Sequence, residues 1–132
     1  MIRSQRIMVS LLAAMAAIVW APVARAADSV TYEVVSKDIA AAGGIEYYDG
    51  SARRLLQNVP LPWRTDVTIA NARSLGTDGA EVRADWRNSI AAPVWRPGKW
   101  VTVRIYIGQT LRCQNTLDVG NAACYGSTGF KS

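Results

Sequence analysis

The feature that most constrains this chain is the alternation of apolar and polar residues in short segments after residue 27. The clearest segment runs from Trp100 to Ile107, where valine or isoleucine occupies every second position. This pattern is typical of β-strands with one buried face, because successive side chains of a strand point to opposite faces. After residue 29, no segment has the apolar spacing of three and four residues that favours an amphipathic helix.

Turn signals separate the alternating segments. Asp49-Gly50 and Asp78-Gly79 favour tight turns, and Pro60-Leu61-Pro62 ends a strand because proline cannot donate to the β-ladder. Segments and turns together predict an all-β fold, a single antiparallel immunoglobulin-like β-sandwich of about seven strands. The pattern does not predict the order of the strands in the sheets.

Residues 1–26 have the layout of a secretory signal peptide. Arg3 and Arg6 form a basic n-region, and residues 7–24 are an uncharged run of 18 residues. Ala24-Arg25-Ala26 then matches an A-x-A cleavage site. This layout predicts export to the extracellular space, the periplasm or the cell envelope.

Two domain descriptions follow from this segment. Pro22 and the small residues near the end of the apolar run favour cleavage, which leaves residues 27–132 as one folded domain. An uncleaved signal anchor is the alternative, since 18 apolar residues are just long enough to cross a bilayer. In that case the domain is membrane-anchored.

The distribution of charge argues against a nucleic-acid partner. The whole chain has a formal net charge of +5. Residues 1–26 contain three of the 15 basic residues and none of the 10 acidic ones, so the remaining domain is only about +2. Nucleic-acid binding depends on a basic surface opposite the phosphates, and we expect no such partner.

Cysteine and histidine content restricts the chemistry further. Cys113 and Cys124 are the only cysteines, and in an exported protein the default prediction for such a pair is a disulfide. The chain has no histidine, which excludes Ser-His-Asp and Cys-His catalytic machinery. Two cysteines without histidine are too few for structural zinc, so no metal and no cofactor are expected.

No catalytic residue is expected either. Strand alternation and turn positions place seven scattered carboxylates on a solvated face. They are Asp38, Glu46, Asp49, Asp66, Asp78, Glu81 and Asp85. A pair that converges in a cleft, as in glycosidases, remains the enzymatic alternative. Residues 126–129 resemble a nucleophile turn, but they lack a histidine base and are expected to form a flexible C-terminal tail.

The candidate binding surface is a cluster of tryptophans and cations. Trp95, Arg96, Lys99 and Trp100 lie close together in the sequence, and Arg87 precedes them. Tryptophan beside arginine is frequent at surfaces that bind apolar, sugar or anionic groups, through stacking and cation–π contact. We expect this cluster to contact a ligand or partner.

Period-2 parity distinguishes two of the tryptophans. Trp86 has the parity of Val82 and Ala84 and is expected in the core. Trp100 has the opposite parity to Val101 and is expected to face away from the apolar side of that strand.

Three motifs occur in order along the domain. Tyr32-Glu33-Val34 is followed by Ile45-Glu46-Tyr47-Tyr48-Asp49-Gly50 and then by Leu61-Pro62-Trp63. In this order and spacing they resemble the MmpS family of small mycobacterial membrane proteins, which has a Y-E-V strand, an I-x-Y strand with a D-G turn, and an L-P-W segment. The resemblance covers about residues 30–125. The excess of arginine over lysine, twelve to three, is also typical of GC-rich actinobacterial genomes.

The resemblance implies an extracytoplasmic β-sandwich without enzymatic activity. It also implies an accessory role beside MmpL transporters of the resistance-nodulation-division type, which export lipids and siderophores. The expected partners are therefore such a transporter, another envelope protein or an envelope lipid. The alternative is a freestanding secreted domain that binds an envelope lipid, glycan or protein through Trp95, Arg96 and Trp100.

The chain departs from the family pattern at three places. The first cysteine of the family aligns with Val103, whereas here the cysteine is Cys113, one strand later. The loop of residues 88–99 is longer than the usual turn, and typical members retain an N-terminal membrane helix.

Overall fold

The computed structural model describes residues 26–87 and 97–129, and it confirms the predicted all-β sandwich. Within these residues the chain forms eight antiparallel strands, one more than the approximate number expected. The strands are β1 (Asp28–Val35), β2 (Ala41–Tyr48), β3 (Arg53–Pro60), β4 (Trp63–Ile69), β5 (Glu81–Asp85), β6 (Val101–Ile107), β7 (Thr110–Leu117) and β8 (Asn121–Tyr125).

The strands form two four-stranded sheets. The first sheet has the order β4-β1-β6-β7 and the second the order β3-β2-β5-β8. β3 and β4 belong to different sheets although only Leu61 and Pro62 separate them, and the peptide bond between these two residues is cis. The crossover lies at Pro60-Leu61-Pro62, where the sequence predicts the end of a strand.

The core lies between the two sheets and follows the predicted alternation. Every second residue of β1 and β6 is buried, and Trp86 is only 2% exposed, which confirms its predicted place in the core. Burial of these apolar side chains is the main driving force for packing the sheets. The buried residues of these two strands are Val30, Thr31, Tyr32, Val34, Val101, Val103 and Ile105.

Tyr32 connects the two sheets through its buried hydroxyl. The hydroxyl donates to the Tyr48 carbonyl at 2.7 Å and accepts from the Glu81 backbone N–H at 3.2 Å. Burial raises the pKa of Tyr32 far above its usual value, so the phenol is neutral at physiological pH. These two hydrogen bonds satisfy the buried hydroxyl, which would destabilise the fold if it were left unpaired.

The predicted disulfide between Cys113 and Cys124 is confirmed. It joins β7 of the first sheet to β8 of the second, with 5.7 Å between the Cα atoms. Cys113 is 6% exposed and Cys124 is fully buried. The bond therefore crosses the core and links the two sheets covalently.

The sandwich has two ends, which we name by the direction of β1. At the proximal end, where β1 begins, lie the connections of residues 49–52, 70–80 and 108–109. At the distal end, where β1 ends, lie the connections of residues 36–40, 61–62 and 118–120, together with Trp100. The ends are separated by the eight residues of β1, a length of about 26 Å.

The expectation of a flexible tail over residues 126–129 is wrong at its first residue. Gly126 is buried, and its N–H donates to the Ala80 carbonyl at 2.9 Å. A Cβ atom at this position would lie 2.2 Å from the carbonyl oxygen of Ala72, so only glycine fits. Ala80 is 46 and Ala72 is 54 residues away in the chain, beyond the reach of local sequence patterns.

Several predicted features lie partly or wholly outside the residues that the structure describes. The proposed signal peptide, including Ala24, lies outside the described residues, and Ala26 is exposed just before β1. Trp95 and Arg96 also lie outside the described residues. Across residues 26–87 and 97–129, no helix is long and apolar enough to span a membrane.

Candidate functional site

The candidate site is a groove of about 300 Å³ at the distal end of the first sheet. It lies between the connection that follows β1 and the beginning of β6. We call it the Trp100 groove. Its lining residues are Val35, Ser36, Lys37, Asp38, Trp100, Thr102 and Arg104.

Two hydrogen bonds hold the backbone of Trp100 in place. Its N–H donates to Asp38 Oδ2 at 2.9 Å, and its carbonyl oxygen accepts from the Ser36 hydroxyl at 2.6 Å. The indole itself remains 49% exposed, which agrees with the outward direction predicted from parity. The groove thus presents an aromatic side chain on a fixed backbone.

The loop that holds Trp100 is itself ordered by Ser36. Its hydroxyl oxygen accepts from the backbone N–H groups of Asp38 at 3.0 Å and Ile39 at 3.2 Å. Side chains of this type stabilise tight turns by bonding to the backbone two and three residues ahead. Ser36 therefore stabilises the loop that follows β1 and also binds the backbone of Trp100, just before β6.

The floor of the groove consists of outward-facing residues of β6. Thr102 lies within hydrogen-bond distance of Thr116, with 2.8 Å between the two hydroxyl oxygens. Arg104 donates to Glu33 at 2.6 Å and to Gln114 at 2.7 Å. The positive charge of the Arg104 guanidinium is therefore already paired with the Glu33 carboxylate, and Gln114 accepts a second hydrogen bond from it.

Lys37 differs from Arg104 in having no ion-pair partner among the described residues. Its side chain is exposed and lines the groove. Asp38 uses Oδ2 for the Trp100 backbone, so part of its acceptor capacity is already occupied. The groove thus combines an exposed indole with an ammonium group that makes no ion pair with a described residue and with the Asp38 carboxylate.

The other predicted cluster residues have different positions. Lys99 is exposed, does not line the groove, and accepts the Trp86 indole N–H at its carbonyl, at 3.1 Å. Arg87 donates to Asp85 at 2.6 Å and thereby holds the pKa of that carboxyl below its usual range. Of the predicted residues that the structure describes, Trp100 alone lines the groove.

Sequence reasoning missed the residues that surround Trp100. Ser36, Lys37 and Asp38 form a polar tripeptide directly after β1, which is an ordinary loop signal. Thr102 and Arg104 share the parity of Trp100, which predicts that they lie on the same face, but the sequence did not mark them as site residues. Only the pairing of β1 with β6 brings the tripeptide to Trp100.

The motif residues of the family resemblance contribute to the fold. Tyr32 and Val34 are buried in the core. Glu33 binds Arg64 at 3.2 Å and Arg104 at 2.6 Å across neighbouring strands. These contacts explain why a sandwich of this kind would use a Y-E-V strand.

The L-P-W segment also contributes to the fold. Leu61 and Trp63 are partly buried against the core, and the ring of Trp63 lies 5.3 Å from that of Tyr47. Pro62 is exposed in the crossover between the sheets. None of these residues lines the Trp100 groove.

Two of the scattered carboxylates converge away from the groove. Glu46 and Glu81 both contact Arg53, at 3.5 and 2.6 Å, on the outer face of the second sheet. Arg83 also binds Glu81 at 3.3 Å, so the two carboxylates face two guanidinium groups. This arrangement is an ion-pair network. Among the described residues, no group of three or more acidic, cysteine or histidine side chains could hold a metal ion.

Comparison with known proteins finds no family model and no curated protein that matches this chain.

Proposed function

We propose that this protein is a non-enzymatic, exported binding domain of the cell envelope, and that the Trp100 groove is its contact site. The observation that carries the proposal is a half-exposed indole on a backbone held by Asp38 and Ser36. Binding sites gain affinity when their contact groups are already ordered, because less conformational entropy is lost on binding. Tryptophan is also the residue type most enriched among those that dominate binding energy.

Export is supported by the targeting layout of residues 1–26 and by the disulfide. Disulfides persist in oxidising compartments and are rare in the cytosol. The groove lies at the distal end, opposite the point where the chain enters β1.

Sedimentation with cell-envelope fragments tests this proposal. The exported chain is expected to sediment with isolated envelope fragments, and Trp100→Ala is expected to lower the bound fraction at least about fivefold. Tyr125→Ala is the control, because Tyr125 is an aromatic residue of similar exposure, 44%, at the proximal end. Equal sedimentation of wild type and Trp100→Ala would overturn the groove as the contact site.

The family resemblance adds a partner to this proposal, a lipid or siderophore transporter of the resistance-nodulation-division type. The motif resemblance supports this partner, and the motif residues themselves contribute to the sandwich fold. Purification of the chain from cross-linked envelopes is expected to recover a transporter of this class, with a reproducible yield that falls in the Trp100→Ala variant. Recovery of the chain without such a transporter would contradict the accessory role and favour a freestanding binding domain.

A further inference from the structure

The Trp100 groove has a chemistry that restricts its ligand class, and the following argument rests on the function proposed above. Val35 and Trp100 are the apolar side chains of the lining set and the other five are polar or charged, yet most of the exposed groove surface is apolar. An acyl chain is bound best where apolar walls surround it. One aromatic surface bordered by hydrogen-bonding groups instead suits a ligand with one apolar face and polar edges.

A sugar ring is such a ligand. Its C–H groups form an apolar face that can pack on the negative π-face of an indole, and its hydroxyls need donors and acceptors at the edge. Thr102, Asp38 and Lys37 supply those groups around the indole. A volume of about 300 Å³ is at the lower end of small-ligand pockets, which fits one or two rings.

The charge of the groove selects among sugars. Among the described residues, Lys37 is the cation of the lining set that has no ion-pair partner, whereas Arg104 is bound to Glu33 and Gln114. One ammonium group balances one carboxylate. A phosphate group carries more charge and is usually held by several donors or by a bidentate arginine.

We propose that the Trp100 groove binds an acidic polysaccharide through a uronic acid unit. The sugar ring stacks on Trp100, and its carboxylate pairs with Lys37. Asp38 accepts a ring hydroxyl while its other oxygen holds the Trp100 backbone.

The test uses the exported chain and tetragalacturonate, with the fully methyl-esterified tetrasaccharide as the neutral control. In isothermal titration, we expect the acid to bind at least about tenfold more tightly than the ester, because the ester has no charge to pair with Lys37. Lys37→Gln is expected to remove this preference, so that the acid binds about as weakly as the ester. Trp100→Ala is expected to weaken both ligands at least about tenfold.

Two variants at the proximal end serve as matched controls. Arg73→Gln removes one exposed positive charge, as Lys37→Gln does, and Tyr125→Ala removes one exposed aromatic ring. Both are expected to bind the acid within about twofold of wild type, since their sites are far from the groove. An equal loss in Arg73→Gln would show general charge attraction and overturn the assignment of Lys37.

The outcome separates this inference from the proposed function. If tetragalacturonate fails to bind at millimolar concentration while envelope sedimentation still depends on Trp100, the acidic-saccharide inference is overturned and the binding function stands. If acid and ester bind equally to wild type, the selection by Lys37 is overturned. If neither sedimentation nor titration depends on Trp100, both proposals fail.

Discussion

Replacing Trp86 with alanine is expected to lower the free energy of unfolding by about 3–5 kcal/mol. Trp86 is 2% exposed, and its removal leaves a cavity that the two sheets cannot fill without moving. The variant also loses the hydrogen bond from the indole N–H to the Lys99 carbonyl. Urea denaturation followed by circular dichroism measures the change.

Trp100→Ala is the matched control for that substitution. The same atoms are removed, but the indole of Trp100 is 49% exposed and its backbone contacts remain. We expect a loss of no more than about 1 kcal/mol, since half-exposed side chains give up less buried surface. Equal losses in the two variants would contradict the separation of a core tryptophan from a surface one.

Removing the disulfide through Cys113→Ala with Cys124→Ala is expected to lower stability by about 3 kcal/mol, the chain-entropy value for a loop of this length. The bond joins the two sheets in the core, so its loss also removes the covalent link between them. For a domain of this size, the melting temperature should fall by roughly 12–24 °C. Thermal denaturation followed by circular dichroism measures the shift.

A reducing agent provides the control for this prediction. It should lower the melting temperature of the wild type to about that of the double variant and leave the variant unchanged. If the double variant melts within about 2 °C of wild type, the disulfide has no major role in stability. That result would leave the sandwich dependent on apolar packing alone.

Residues for stability and residues for binding occupy different places in this domain. Trp86, the disulfide and the buried Tyr32 hydroxyl lie between the sheets, whereas the groove lies on the outer surface at the distal end. Groove variants are therefore expected to change the proposed binding without a large change in folding. This separation makes the Trp100 and Lys37 variants useful as tests of function.

The family motifs illustrate a limit of sequence resemblance in this chain. Tyr32, Glu33 and Trp63 participate in core packing, a cross-strand ion pair and aromatic contact. A match to motifs built from such residues is evidence about the fold. The proposed transporter partnership is supported by the resemblance as a whole and is tested by the purification experiment.

Strand alternation correctly predicted the fold class, the buried Trp86 and the outward Trp100. Cysteine content and the expected export predicted the pairing of Cys113 with Cys124. Alternation is a local property of an extended chain, since each side chain points opposite to the one before it. The expected tail at Gly126 was wrong because its partner, Ala72, is remote in sequence.

Sequence by itself determined that this chain forms a β-sandwich and that alternate residues of β6 face inward. Only the tertiary structure decided what lies beside Trp100. Asp38 is 62 residues from Trp100 and Ser36 is 64 residues away, yet both bind its backbone because β1 pairs with β6. The pairing of strands depends on packing of the whole core, which period-2 patterns do not encode.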